Sequence, residues 1–276
     1  MKKFTFILLI LIAAIVPFFI FRNINCPFKR SSRERQTLTC SIELKTCQEN
    51  LLKYLKLRKD RLASKEIEKI LSIQRDDVCA LWARAEIFRR DYKFKESEKL
   101  LNEVLAKCLG HAPSLISLAY IKYRNNKFQD ASRLLKQALR QPDLERENQA
   151  LIYMLMGSIN AKKASQGGFL SKVVYGTRIR GFFEKAKIRA PDLSEVRLGL
   201  GSFYLLAPKI VGGDVDRAIE ELECAVQLTP DFATANARLA QAYKQKGNLE
   251  KYNFYIQRTK ELDPENEAVK EIETSL

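Results

Sequence analysis

From Leu51 to Leu262 the chain repeats one arrangement of apolar and polar positions. Apolar residues recur at i, i+3, i+4 and i+7 over roughly 13 residues, a short polar break follows, and the same spacing resumes. That is the stripe of an amphipathic α-helix, and stripes separated by short breaks predict helical hairpins. The stretch LWARAEIFRRDYKFKESEKLLNEVL, from Leu81, aligns without a gap on LISLAYIKYRNNKFQDASRLLKQAL, from Leu115, at a shift of 34 residues. Ala85 pairs with Ala119, Phe94 with Phe128, Ser97 with Ala131, Leu101 with Leu135, and Val104 with Ala138. The same shift backwards gives Leu51, Ala63, Ile67 and Ile70, so a weaker copy begins near residue 44. Small residues fall where two helices of a hairpin would cross closely. Larger apolar ones face the neighbouring hairpins, and because one hairpin cannot bury its apolar face alone, the copies must stack.

The later copies carry further landmarks. The last has Leu239, Ala240, Tyr243, Gly247 and Pro264; the one before it has Leu200, Gly201, Tyr204, Ala218, Ala225 and Pro230; the fourth has Gly157, Phe183, Ala186 and Pro191. With the period of 34, this set resembles the tetratricopeptide repeat (TPR) over about residues 44 to 266, although Ser97 and Tyr252 replace the usual alanine in their units. The resemblance implies an all-α fold: a right-handed solenoid of about six helical hairpins, at 44–77, 78–111, 112–145, 150–193, 194–232 and 233–266, in a domain running to 276. It implies a surface for a protein or peptide partner, with a second copy of the chain as a further candidate, and no catalysis or cofactor. It does not name the partner, because arrays of this kind bind many unrelated ones.

Two units are longer than the period allows. Ala119 precedes Ala138 by 19 residues, but Gly157 precedes Ala186 by 29; Ala240 precedes Tyr252 by 12, but Gly201 precedes Ala218 by 17. The excess falls between the two helices of each unit, so both additions are expected as loops on one edge of the solenoid, where such insertions often bind. The candidate contact residues are Gly167, Gly168, Phe169, Lys172, Tyr175, Arg178 and Arg180 in the first addition, and Tyr204, Pro208 and Ile210 around the second. The alternative is that both merely brace the stack. GGFLSK lacks the ending of a phosphate loop. Gly212, Gly213 and Asp214 read as a turn and a helix cap, with Pro208 ending the helix before them. The stretch LGSFYLLAPKIVGGDVDRAIEELECAVQL is also similar to the T component of TRAP-type transporters, on Leu200, Gly201, Tyr204, Pro208, Gly212, Gly213, Asp214, Ala218 and Ala225. That likeness implies a periplasmic accessory protein with an apolar ligand and a solute-binding partner.

The N-terminus changes the picture. Lys2 and Lys3 precede 18 uncharged residues, Phe4 to Phe21. At 1.5 Å per residue they would span roughly 27 Å, close to a hydrocarbon core. Pro17 to Arg22 are mostly bulky, which favours an uncleaved signal anchor over a cleaved signal peptide. Residues 4–21 are therefore expected to reach into a membrane, residues 22–43 to form a basic juxtamembrane linker and the start of a helix, and the repeat domain to lie on the periplasmic side of a bacterial inner membrane.

The net charge of +15 is uneven: Pro191 onward carries 10 Lys and Arg against 15 Asp and Glu, leaving +20 on residues 1–190. Such charge suggests RNA, but no base-reading pair recurs with the repeat, and no nucleic-acid partner is expected. With His111 as the one histidine and no Cys-x-x-Cys, zinc is not expected either. His111 reads as a turn residue and Trp82 as core. Cys79 and Cys108 stand at the two ends of one hairpin, so a disulfide between them is a candidate in an oxidising compartment. No catalytic constellation emerges.

Overall fold

The computed structural model describes residues 32–274, and their side chains except those of 32–40, 169–174 and 176–177. The described residues from Thr46 onward form one compact unit. The described residues form thirteen α-helices and one short 3-10 turn. The helices pair as α1 (Ser32–Lys56) with α2 (Asp60–Ile73), α3 (Val78–Arg90) with α4 (Phe94–Lys107), α5 (Ala112–Arg124) with α6 (Phe128–Leu139), and α7 (Arg146–Gln166) with α8 (Phe169–Arg189). Then follow α9 (Ser194–Leu206) with α10 (Val215–Leu228), α11 (Ala233–Gln245) with α12 (Leu249–Leu262), and a last helix, α13 (Glu267–Thr274). The described residues from 46 onward are a stack of helical hairpins. The apolar run 4–21 lies outside the described residues, and among those described no helix is long and apolar enough to cross a membrane. Helix α1, described from Ser32 onward, overlaps residues 22–43, the stretch expected as a linker and the start of a helix.

The 34-residue pattern is the core. Ala85, Ala119, Leu101, Leu135, Val104 and Ala138 are all fully buried, as are Leu51, Ala63 and Ile70 one period earlier. Small side chains let the two helices of a hairpin approach. A Cβ on Gly201 would stand 2.6 Å from Leu222 Cγ, so α9 and α10 close on a residue without a side chain. Ser97, at the usual alanine position, stays buried because its hydroxyl donates to the Ala85 carbonyl at 2.8 Å. Asp77 caps α3 by accepting from the Ala80 amide at 2.7 Å.

The turns inside the first three hairpins obey the same period. Arg58, Tyr92 and Asn126 lie 34 residues apart and share a left-handed backbone, with φ of 58°, 60° and 57°. Gly247 occupies the matching turn of the last hairpin at φ 82°. Three non-glycine residues thus hold a conformation that glycine adopts without strain.

The fourth hairpin corrects an expectation. Its additional residues do not form a loop; they lengthen both helices to 21 residues, against 13 or 14 in α3, α4 and α5. At 1.5 Å per residue the hairpin is roughly 12 Å longer than its neighbours. Gly167 and Gly168 are the whole turn, Gly167 capping α7 with extended backbone and Gly168 standing before α8.

Candidate functional site

The first helices of successive hairpins line a continuous groove of about 2930 Å³. Its walls carry side chains at helical spacing: Trp82, Glu86 and Arg89 on α3; Pro113, Ile116 and Tyr120 on α5; Leu151, Met154 and Ser158 on α7; Leu198, Ser202 and Leu206 on α9; Thr234 and Arg238 on α11. Trp82, expected in the core, is half-buried on this wall, where its indole N–H donates to Ser117 Oγ at 3.1 Å. Its ring meets that of His111 edge-on at 6.2 Å. The reason is geometric: residues facing the groove and residues facing the next hairpin are both apolar, and sequence spacing does not separate them. His111 is the N-cap of α5, its Nδ1 2.8 Å from Ser114 Oγ, and burial lowers its pKa.

The groove is closed on one side by residues far apart in sequence. Arg58, at the left-handed turn of the first hairpin, donates to Glu195 of α9 at 2.6 Å and lies 4.1 Å above the Phe232 ring. Its neighbours Lys56 and Lys59 pair with Glu147, at 2.7 Å, and with Asp231. Tyr92, at the second turn, donates to Asp263 at 2.7 Å, and Arg124, at the end of α5, forks onto Glu267 of α13. The turn edge of hairpins one to three therefore reaches across to the helix starts of hairpins four to six and to α13. Burial raises the Glu195 carboxyl, but Arg58, a backbone amide and Arg90 outweigh it and bring its pKa below the ordinary value. Beside this pair, Arg89 forks onto Glu86 at 2.8–3.2 Å and stacks over Tyr120. Burial opposes ionisation of Glu86, but Arg89 holds its pKa down at about 2. Arg90 pairs with Asp60 and donates to the Leu55 carbonyl; burial and the nearby Arg58 pull its pKa down to about 10.

Among the described side chains, eleven Lys and Arg and twelve Asp and Glu line the groove, so this lining is balanced in charge despite the basic sequence. Among the described residues no group of three or more His, Cys, Asp or Glu could hold a metal ion.

The residues singled out in sequence are spread over this scaffold. Pro208 and Ile210 lie on the groove rim, and Ile210 is 93% exposed. Tyr204, grouped with them, is instead a core residue 6% exposed, packed on Phe203, because it sits on the face of α9 turned toward α10. Arg180 lines the groove, 3.7 Å from Glu184; Arg178 is exposed and does not line it. Tyr175 is half-buried under the Lys163 ammonium at 5.4 Å. The side chains of Phe169 and Lys172 lie outside the described ones. Gly212 has φ 105°, and a Cβ on Gly213 would stand 1.8 Å from the Ala207 carbonyl oxygen, so the turn tolerates no side chain there. Asp214 accepts from the Asp216 and Arg217 amides, starting α10. Cys79 is half-buried and Cys108 exposed, both free thiols, and burial pushes the Cys79 pKa up to about 11.

No family model and no curated protein matches the chain. Solved structures do. The TPR protein TTC0263 of Thermus thermophilus is 17% identical over 71% of this chain and 96% of its own, with a TM-score of 0.56. Human IFIT1, solved as a dimer with PPP-AAAA, is 18% identical over 72% of this chain and 45% of its own, with a TM-score of 0.53. At these identities the likeness is one of fold, and the fold is that of the tetratricopeptide repeat.

Proposed function

We propose that this protein is a non-catalytic interaction scaffold whose groove receives an extended segment of a partner protein, and that residues 4–21 hold it at a bacterial inner membrane with the repeat domain on the periplasmic side. The groove itself carries the reading. It runs along the first helix of successive hairpins, is walled by aromatic and aliphatic side chains, and at about 2930 Å³ is several times the roughly 300–1,000 Å³ of small-molecule sites. A transport accessory holding one small apolar ligand is therefore not favoured. RNA is not favoured either, because nucleic-acid surfaces carry a cationic excess and this lining has twelve carboxylates to eleven cations.

Filling the groove tests this. Ser158 and Ser202 are half-buried on its wall, and Ser158→Trp with Ser202→Trp would occupy it without touching the core. Partners captured from solubilised membranes by the full-length chain should be lost to that double variant. They should be retained by Glu103→Trp, an exposed change on α4 that is not part of the groove. Capture unaffected by the filled groove would overturn the reading.

A further inference from the structure

One end of the groove differs in character from the rest. Among the described side chains, the lining from Ser158 to Ser165 on α7, from Ile179 to Phe183 on α8, and from Leu198 to Val211 includes no carboxylate; its ionisable side chains are Lys162 and Arg180. The twelve acidic residues of the described lining lie elsewhere in the groove, with nine described cations besides these two. Lys162 is exposed, and Arg180 keeps 56% of its side chain in solvent beside Glu184, which does not line the groove. Between the cations the walls are small or apolar: Ala161, Ala164 and Ser202 over a floor of Ile179, Phe183 and Phe203. At the rim, Leu206, Ile210 and Val211 leave 54%, 93% and 43% of their surface in water. Nothing in the turn requires that exposure: its geometry is set by Pro208, Gly212 and Gly213, whereas Ile210 contributes only a side chain.

Apolar side chains left in water beside two cations, where the described lining holds no acid and Glu184 meets Arg180 from outside it, are complementary to a ligand that is apolar and anionic together. We infer that this end of the groove binds a partner segment in which a large aliphatic or aromatic residue is flanked by Asp or Glu. The apolar residue packs on Leu206, Ile210 and Val211, and the carboxylates face Lys162 and Arg180. This rests on the groove being the interaction surface and names the chemistry it selects.

The test uses the full-length chain in nanodiscs of zwitterionic lipid and three short, capped, fluorescein-labelled peptides: a Leu-Phe core flanked by glutamates, the same core flanked by lysines, and a Ser-Ser core flanked by glutamates. Anisotropy should show the acidic Leu-Phe peptide binding about tenfold more tightly than either other peptide. Lys162→Glu with Arg180→Glu should invert the order of the first two, and Ile210→Ser should weaken both apolar peptides. These positions are exposed, so circular dichroism should show each variant folded. Equal binding of the acidic and basic peptides, or no binding of any, overturns the inference. It leaves the scaffold reading to stand or fall on the filled-groove capture. Displacement of the acidic peptide by a dansylated fatty acid at comparable affinity also overturns it, since the occupant would then be a lipid amphiphile.

Discussion

Arg58, Tyr92 and Asn126 occupy one left-handed position in three successive turns, and the two larger residues reach across the groove from it. A β-carbon in this conformation costs on the order of 1 kcal/mol, which glycine avoids. Asn126 receives little in return: an exposed 3.4 Å contact from Gln166. Asn126→Gly should therefore raise stability by roughly 0.5 kcal/mol after the larger freedom of the unfolded chain is counted. Arg58→Gly relieves the same strain but strips Glu195 of its guanidinium and Phe232 of its stacked cation, and should lower stability by about 2 kcal/mol. Urea titration of both variants checks the opposite signs. Two destabilised variants would mean that the left-handed turns are not strained.

At the scale of the element, α3 shows how one helix serves two masters. Ala80, Ala83 and Ala85 are buried without remainder, while Glu86 and Arg89 pair on the groove wall. The Glu86 pKa is depressed from an ordinary 4.5 to about 2, so folding is favoured by its ionisation. That contribution is complete above about pH 4.5 and is lost as pH falls toward 2. Glu86→Gln should be less stable than wild type at pH 7, on the order of 3 kcal/mol, and should match it near pH 2. Thermal melts across that range decide it; a gap independent of pH would place the cost in packing. Helices α7 and α8 make a different point. Their length was legible as an excess of residues but not as helix, because GG in QGGFLSK reads as a loop, whereas α7 runs to Gln166 and α8 begins at Phe169.

For the whole compact unit, residues more than ninety positions apart hold the first turns against the last helices. Replacing Arg58 and Arg124 by Ala and Tyr92 by Phe should enlarge the radius of gyration by small-angle scattering while leaving helical content unchanged. An unchanged radius would mean that stacking between successive hairpins alone sets the curvature. The sequence by itself determined the hairpin, the 34-residue period, the small residues at each crossing and the punctuation at Pro208 and Gly212, because these depend on neighbours within a few turns of helix. The tertiary structure alone decided which apolar residues face the groove, that Trp82 is wall and Tyr204 core, and that a basic chain has a groove of balanced charge. Those outcomes follow from curvature, the small rotation between successive hairpins summed along the stack, which brings Arg58 to Glu195 and Arg124 to Glu267 and appears in no local pattern.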